Sequence, residues 1–213
     1  MLVPIKHSTN AKSRLLGATR SQQDHAQLVH AIQLDTLDAV LAVQSHPLLG
    51  GLSVVMARTE IARMGVKAPP TLALPAQIEV LADAGGGLNA ALAAAAAELS
   101  RRYPQDGVVA MVGDLPALRP AELLLVLAAA GAQPRSFVRD AEGSGTTLLA
   151  AAAGQQLDPR FGPDSARRHV ESGAAEIEAG DSVRRDVDSA EDLRGCLQLG
   201  VGLLTAQLTE LLG

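Results

Sequence analysis

The sequence predicts an α/β fold built on a mixed, mostly parallel β-sheet that is flanked by helices. Short runs of β-branched or apolar residues alternate with longer segments of helical period, which is the pattern of strands joined by crossover helices. The chain has 213 residues and is 47% hydrophobic. That is enough to bury the core of a single domain covering residues 1–213.

The N-terminal half is predicted to hold four strands and two helices. Apolar runs mark strands at residues 2–5, 52–57, 78–81 and 108–112, and the last of these is apolar enough to be a central strand. Six residues of the segment 22–45 fall along one broad side of a predicted helix: His25, Leu28, Ile32, Asp35, Leu37 and Leu41. A second helix, at residues 88–102, follows three consecutive glycines.

The C-terminal half continues the alternation. A helix at residues 120–130 begins with Pro120, which suits the first helical turn. Strands are predicted near residues 136–139 and 146–151, and a short helix opens at residues 163–165. Helices at 190–199 and 203–212 close the chain; their leucines either pack on the sheet or form a homodimer face, and the sequence leaves both options open.

The composition excludes several functional classes. With 18 Lys and Arg against 23 Asp and Glu, the net charge of −5 provides no basic field for nucleic acid. One tyrosine, two phenylalanines and no tryptophan argue against a base-stacking platform. Cys196 is the only cysteine, so neither an internal disulfide nor a thiolate zinc site can form. Without a signal peptide or an apolar span, we expect a cytoplasmic protein that does not enter membranes.

The loop after the first strand is a candidate phosphate-binding site. Lys6, Lys12 and Arg14 place three cations within nine positions, and such side chains together with loop amides bind a triphosphate well. A solvated basic loop without a ligand is the alternative interpretation. Ligands of open α/β sheets lie beyond the carboxyl ends of the strands, which favours the phosphate site.

Two acidic motifs predict a magnesium site. Asp114 directly follows the most apolar strand, and Mg²⁺ prefers one or two carboxylates together with phosphate oxygens. Asp186 and Asp188 stand two residues apart, so on an extended segment both side chains point the same way. Capping of the next turn is the alternative for Asp114, and Asp188 or Ser189 is equally suited to cap the following helix.

Glycine-containing segments supply further candidate anion and nucleotide contacts. Gly162 and Ser165 stand at the start of the short helix, where free amides can bind an anion, and the loop at residues 143–147 would add more amides. The alternative interpretations are a surface helix and an ordinary loop, neither of which binds a ligand. Residues 83–89 match neither a P-loop nor a dinucleotide motif. Gly87 and Asn89 could nevertheless let a nucleotide approach the backbone.

The remaining histidines and the cysteine carry less weight. The five histidines show no metal-binding spacing, and His25 and His30 are interpreted as helix-surface residues. Cys196 lies within a late helix and no serine occupies a nucleophile elbow. Covalent catalysis is therefore not expected.

Five motifs occur in an order that resembles a known family. They are Pro-x-Lys at residues 4–6, Ala-Lys-Ser-Arg-Leu at 11–15, Gly-Asp-Leu-Pro-Ala-Leu at 113–118, Phe-Gly-Pro-Asp-Ser at 161–165 and Asp-Val-Asp at 186–188. The chain resembles the guanylyltransferases of deazaflavin coenzyme F-420 biosynthesis over essentially its whole length. The resemblance implies a Rossmann-like nucleotidyltransferase fold of the nucleotide-diphospho-sugar transferase type.

The resemblance also implies a reaction and its residues. GTP would be joined to phosphoenolpyruvate, or alternatively to 2-phospho-L-lactate or another phosphorylated acid. Lys12 and Arg14 would contact the GTP phosphates, Asp114 and Asp186 would hold Mg²⁺, and Thr146, Gly162 and Ser165 would bind the three-carbon acid. A labile product implies a downstream transferase as partner.

Two other classes of function remain as alternatives. A nucleotidyltransferase for molybdopterin or a sugar phosphate would carry a Leu-Ala-Gly-Gly opening, which this sequence lacks. A non-catalytic nucleotide-binding module would not need the carboxylates that the sequence retains.

Overall fold

A computed structural model, in which residues 1–5, 15, 19, 21–57, 78–83 and 85–212 are described, contains a seven-stranded sheet. Its strands are β1 (Leu2–Pro4), β2 (Ser53–Ala57), β3 (Glu79–Asp83), β4 (Val108–Met111), β5 (Arg135–Arg139), β6 (Thr146–Ala151) and β7 (Ala175–Glu176). The strand order is β3-β2-β1-β4-β6-β5-β7. Only β6 runs antiparallel to its neighbours, which confirms the mixed, mostly parallel sheet.

Helices connect most of these strands. Among the described residues they are α1 (Gln22–Leu41), α2 (Leu88–Arg102), α3 (Pro120–Gly131), α4 (Ser165–Glu171), α5 (Asp181–Arg184), α6 (Ala190–Leu199) and α7 (Leu203–Leu212). The sequence did not predict β7 or α5, since two and four residues are too short to show a period. The predicted bounds of α2, α6, α7 and β6 agree with the structure.

Alternation along the strands divides the core into two layers. Val3, Val54 and Leu148 face one side of the sheet, where they pack with the buried sides of α1 and α3. Their chain neighbours Leu2, Val55 and Leu149 face the other side and pack with α2. Successive strand residues point to opposite faces. Both faces of the sheet are therefore covered, as a mostly parallel sheet requires.

Helix α1 is more buried than its sequence indicated. Its N-cap is Ser21, whose hydroxyl accepts a hydrogen bond from the Asp24 amide. His25 and His30 are only 1% and 8% exposed, so their interpretation as helix-surface residues is wrong. The helix is covered on two sides, because α3 and α7 both pack against it. A single-face amphipathic pattern does not anticipate such a position.

The two late helices close over α1. Ser189 caps α6 in a capping box with Asp192, which resolves the choice between Asp188 and Ser189 in favour of Ser189. Helix α7 packs against α1, and the Asp35 carboxylate accepts hydrogen bonds from the amides of Leu204 and Thr205. Packing of the late leucines on the sheet is wrong for α7, because this helix packs on α1 and leaves Leu203 and Leu211 exposed; a homodimer stays a prediction.

Candidate functional site

Asp114 lies immediately beyond the carboxyl end of β4. Gly113 lets the chain pass close to β1, because a Cβ at this position would lie 3.0 Å from the Pro4 carbonyl oxygen. After Asp114, the Leu115 amide donates to Thr36 Oγ1 of α1 at 3.0 Å. The Asp114 carbonyl accepts from the Val187 amide at 3.1 Å. Asp114 is thus held between the sheet, α1 and the segment that carries Asp186.

Helix α5 brings the second acidic motif to this edge. Ser182 Oγ donates to Glu122 of α3 at 2.7 Å, and Arg184 donates to the carbonyls of Arg139 and Asp140. The chain then runs past Asp114 through the bond between Val187 and Asp114. This α5 anchorage places the Asp-Val-Asp motif opposite the end of β4, although the sequence showed neither α5 nor its contacts.

Asp114, Asp186 and Asp188 form an acidic cluster. One carboxylate oxygen of each lies within 4.8 Å of one oxygen of the other two. Asp114 and Asp186 are half-buried, whereas Asp188 is exposed. Oxygen ligands at this separation suit a hard divalent cation. The sequence-predicted pairing of Asp114 with the Asp-Val-Asp motif is therefore realised in space, and a divalent metal can bind there.

A second group of polar side chains lies on the same edge of the sheet. Because β6 is antiparallel to β4 and Val112 pairs with the Thr147 carbonyl, the first residue of β6 lies near the end of β4. That residue is Thr146. Its Oγ1 atom is 3.1 Å from Ser165 Oγ and 2.9 Å from His169 Nδ1, both on α4. The structure thus brings together two of the three residues predicted for the small acid.

His169 is completely buried in this group. Its Nε2 atom accepts a hydrogen bond from the Arg160 amide at 3.0 Å. Both phenylalanines of the chain contact the ring, with centroid distances of 5.7 Å for Phe137 and 5.5 Å for Phe161. Burial, and to a lesser extent the nearby guanidinium groups of Arg135 and Arg168, lower the pKa of His169 to about 4. The imidazole is therefore neutral at pH 7.

Sequence reasoning did not assign His169 a role. One signal was available: His169 follows Ser165 by four residues, so on a helix the two side chains lie on one face. The partner on β6 is far away in sequence, and only the fold brings it close.

The third residue predicted for the acid, Gly162, lies in the loop before α4. Its φ of +117° is in the region that side chains rarely adopt. The Gly162 carbonyl accepts from the Ser165 amide at 3.1 Å, and a Cβ on Gly162 would lie 3.3 Å from the Arg168 guanidinium. Helix α4 begins only at Ser165, with Asp164 left-handed at φ 54° and forming no side-chain cap.

Asn89 links this loop to the glycine-rich turn. Its side-chain amide donates to the Phe161 carbonyl at 3.0 Å and accepts from the Phe161 amide at 2.8 Å. Gly87 precedes α2 with a φ of 91°. The turn predicted for the nucleotide is therefore tied directly to the loop predicted for the acid. Nucleotide binding by Gly87 and Asn89 stays a prediction.

The loop before β6 does not present the amides that the sequence suggested. The amides of Gly143, Ser144 and Gly145 all donate to the Asp140 carboxylate, at 2.6, 3.0 and 2.8 Å. The prediction that these amides bind an anion is therefore wrong. A buried carboxylate of the same loop already takes that place, which shapes the turn leading into Thr146.

Three of the predicted residues lie outside the described part of the chain. They are Lys6, Lys12 and Arg14. Their contact with a triphosphate accordingly stays a prediction.

Cys196 adds no nucleophile to the acidic cluster, and a large groove lies away from the cluster. Cys196 is fully buried, and burial raises the pKa of its thiol to about 12, so it is a poor nucleophile. A groove of about 630 Å³ lies at the opposite edge of the sheet, beside Ser53, Glu79 and Asp106. None of the acidic cluster lines it.

Within the described residues, no helix combines the length and apolar character that a membrane crossing requires.

Solved structures with similar folds show the fold class of this chain. One described as a nucleotide-diphospho-sugar transferase from Desulfovibrio desulfuricans has a TM-score of 0.57 at 14% identity, covering 93% of this chain and 94% of that one. The 4-diphosphocytidyl-2C-methyl-D-erythritol synthase of Anaerococcus prevotii gives 0.56 at 10% identity, with 97% and 96% covered. A manganese complex of a Mycobacterium tuberculosis protein gives 0.50 at 22% identity, with 92% and 96% covered. The fold is that of the nucleotide-diphospho-sugar transferase-like nucleotidyltransferases.

Sequence relatives narrow this class to one family. No protein-family model matches the chain. The phosphoenolpyruvate guanylyltransferase of Streptomyces coelicolor is 48% identical over 208 residues, covering 97% of this chain and 93% of the relative. The corresponding Nocardia farcinica protein is 40% identical over 214 residues, covering 100% and 91%. The chain belongs to the phosphoenolpyruvate guanylyltransferase family.

Proposed function

We propose that this protein joins GTP to phosphoenolpyruvate and thereby forms enolpyruvyl-diphospho-5′-guanosine and pyrophosphate. The observation that carries the proposal is the acidic cluster of Asp114, Asp186 and Asp188, which shares one sheet edge with the hydroxyl pair of Thr146 and Ser165. The first group suits a metal-bound triphosphate and the second a small anion. The names of the relatives support this choice of nucleotide and acid.

The reaction needs alignment more than a general base. A phosphate oxygen of phosphoenolpyruvate attacks the α-phosphorus of GTP, a new P–O bond forms, and the bond to the β-phosphate breaks as pyrophosphate leaves. A phosphate monoester has a second pKa near 6, so this nucleophile is already largely ionised at neutral pH. The protein must hold two anions together and orient them in line.

The residues serve two tasks, which are to neutralise phosphate charge and to orient the two substrates. Asp114, Asp186 and Asp188 would hold Mg²⁺, which when bound neutralises phosphate charge. Lys12 and Arg14 would neutralise the triphosphate further. Thr146 at the start of β6, Gly162 in the loop before α4 and Ser165 at the first position of α4 would hold the acid.

The nucleotide would enter from the side of the glycine-rich turn. Gly87 leaves the backbone open to close approach, and Lys6 would contribute a further cation. The Asn89 amide uses one hydrogen and one lone pair on Phe161, so its second amide hydrogen can contact the nucleotide. In this arrangement Asn89 would couple nucleotide binding to the loop that holds the acid.

The proposal extends to the setting of the reaction. The chain would act as one guanylyltransferase domain over residues 1–213 in the cytoplasm, and a downstream transferase would receive its labile product. A homodimer would use the exposed leucines of α7, where Leu203 and Leu211 are 69% and 73% exposed.

Pyrophosphate release tests the reaction directly. We expect release with GTP and phosphoenolpyruvate in the presence of Mg²⁺, and none after chelation. 2-Phospholactate and 3-phosphoglycerate serve as acceptor controls, and ATP and CTP as nucleotide controls. Release with 2-phospholactate instead would reassign the acid, and no release with any of the three acids would contradict the proposed function.

A further inference from the structure

The hydrogen bonds around His169 determine the position of its proton. Nε2 accepts from the Arg160 amide at 3.0 Å, so this nitrogen carries no hydrogen. A neutral imidazole then carries its proton on Nδ1. That proton can only be donated to Thr146 Oγ1, 2.9 Å away. Thr146 accepts a hydrogen bond from the ring and cannot donate one to it.

Counting hydrogens in the hydroxyl pair leaves one donor unused. Ser165 Oγ donates to Thr146 Oγ1 at 3.1 Å, so both lone pairs of the Thr146 oxygen are occupied. Its own hydrogen therefore points away from both partners, and no other acceptor for it occurs among the residues that the structure describes. Ser165 is 1% exposed and His169 0%, whereas Thr146 keeps 7%. The unused hydrogen is thus on the most exposed member of the group.

The surroundings hold the ring in this orientation. Phe137 of β5 contacts it from one side, and Phe161 contacts it edge-on. The burial that keeps the imidazole neutral also keeps Nε2 available as an acceptor, because a protonated ring would place two N–H groups against each other at Arg160. We call the series of hydrogen bonds from the Arg160 amide through His169 to Thr146 the relay. At neutral pH its hydrogen bonds run in one direction only.

We propose that His169 is a positioning residue, which acts through Thr146 by turning the Thr146 hydroxyl into a fixed donor for the phosphate group of the acid substrate. This inference rests on the proposed function and adds a residue to it. Without the ring, Thr146 could direct its hydrogen inward, and the site would lose a hydrogen bond to an anion. Such bonds are stronger than those between neutral groups.

Steady-state kinetics of a double-mutant cycle tests the proposal. Since an anionic hydrogen bond is lost, His169→Phe should raise the KM for phosphoenolpyruvate about tenfold and change the KM for GTP less than about twofold. His169→Asn, which keeps a donor near the Nδ1 position, should recover part of the loss. Thr146→Val should raise the same KM, and the double variant should be no worse than Thr146→Val alone, because His169 acts through Thr146.

Two observations would contradict the relay. One is an unchanged KM for the acid in His169→Phe, and the other is an effect of His169→Phe that adds fully to that of Thr146→Val. Val170→Ala is the matched control on the same helix, since its side chain is 51% exposed and takes no part in the hydrogen-bonded group. It should keep the KM for the acid within about twofold of the wild type.

Nitrogen-15 NMR of the imidazole separates this inference from the proposed function. We expect the Nδ1–H tautomer for His169 in the protein without substrate. The Nε2–H tautomer in a protein with full turnover would overturn the relay alone. The Nδ1–H tautomer in a protein without turnover would overturn the proposed function, and with it the assignment of phosphate as the ligand of Thr146.

Discussion

Asp114 is held at the end of β4 by its backbone neighbours. The preceding glycine fits closely against β1, the following amide bonds to Thr36, and the Asp114 carbonyl bonds to Val187. The carboxylate therefore projects from a rigid frame toward Asp186 and Asp188. Carboxylate oxygens within 4.8 Å of one another are placed to share a divalent cation.

Asp114→Asn should separate metal binding from folding stability. The amide keeps the shape of the side chain but removes one of the three charges, so the proposed activity should fall at least about a hundredfold. The free energy of unfolding should change by less than about 1 kcal/mol, because the substitution keeps the size and shape of the side chain. Pyrophosphate release and urea unfolding measure the two effects.

Glu210→Gln is the matched control for Asp114→Asn, since it removes one negative charge from an exposed position on α7. It should change neither quantity appreciably. Retained activity in Asp114→Asn, or a marked loss of stability, would speak against a metal-binding role for this residue.

At the scale of elements, the sequence located the regular helices and strands but not the short connections. The helix at 88–102 and the strand at 146–151 have the bounds that their periods predicted. The four-residue α5 and two-residue β7 had no period to read. Yet α5 carries the chain to Asp186, and its position depends on bonds to Glu122, Arg139 and Asp140 that are distant in sequence.

Helix α7 depends on a cap that is equally distant in sequence. Asp35 is 8% exposed and accepts from the first amides of α7, at 3.2 Å for Leu204 and 2.8 Å for Thr205. Gly202 is required beside it, because a Cβ there would overlap the Asp35 carboxylate. The sequence placed Asp35 on one broad side of α1 and assigned it no partner. The structure shows that the partner is the N-terminus of α7.

Asp35→Ala should therefore destabilise the protein. Loss of the cap should cost about 1–2 kcal/mol of unfolding free energy, and amides of α7 should exchange faster than those of α2. Urea unfolding and hydrogen exchange measure these effects. Asp38→Ala changes an exposed aspartate of the same helix and should be nearly neutral. Equal losses in the two variants would contradict the capping role.

At the scale of the whole molecule, acid stability should depend on His169. The residue joins β6, α4 and the loop at Arg160. Its pKa is about 4 in the folded protein and about 6.5 in an unfolded chain. Between these values the unfolded chain binds the extra proton. The contribution of the neutral ring is therefore complete above about pH 6.5 and is lost as the pH falls toward 4.

The difference amounts to about 3 kcal/mol of unfolding free energy. We expect the wild type to lose about that much more stability than His169→Phe between pH 7 and pH 4, since phenylalanine does not titrate. Urea unfolding at a series of pH values measures both proteins. Parallel curves would show that His169 does not take up a proton on unfolding.

The sequence by itself determined the alternating α/β fold, the acidic residues at strand ends and the family resemblance. These properties are local, since they depend on periodicity, on residue type and on short motifs. Only the tertiary structure decided that Asp114 meets Asp186 and Asp188, that Asp140 occupies the loop amides, and that His169 bonds to Thr146. The physical reason is that these contacts join residues from separate elements, and only the packing of the whole sheet and its helices sets the distances between them.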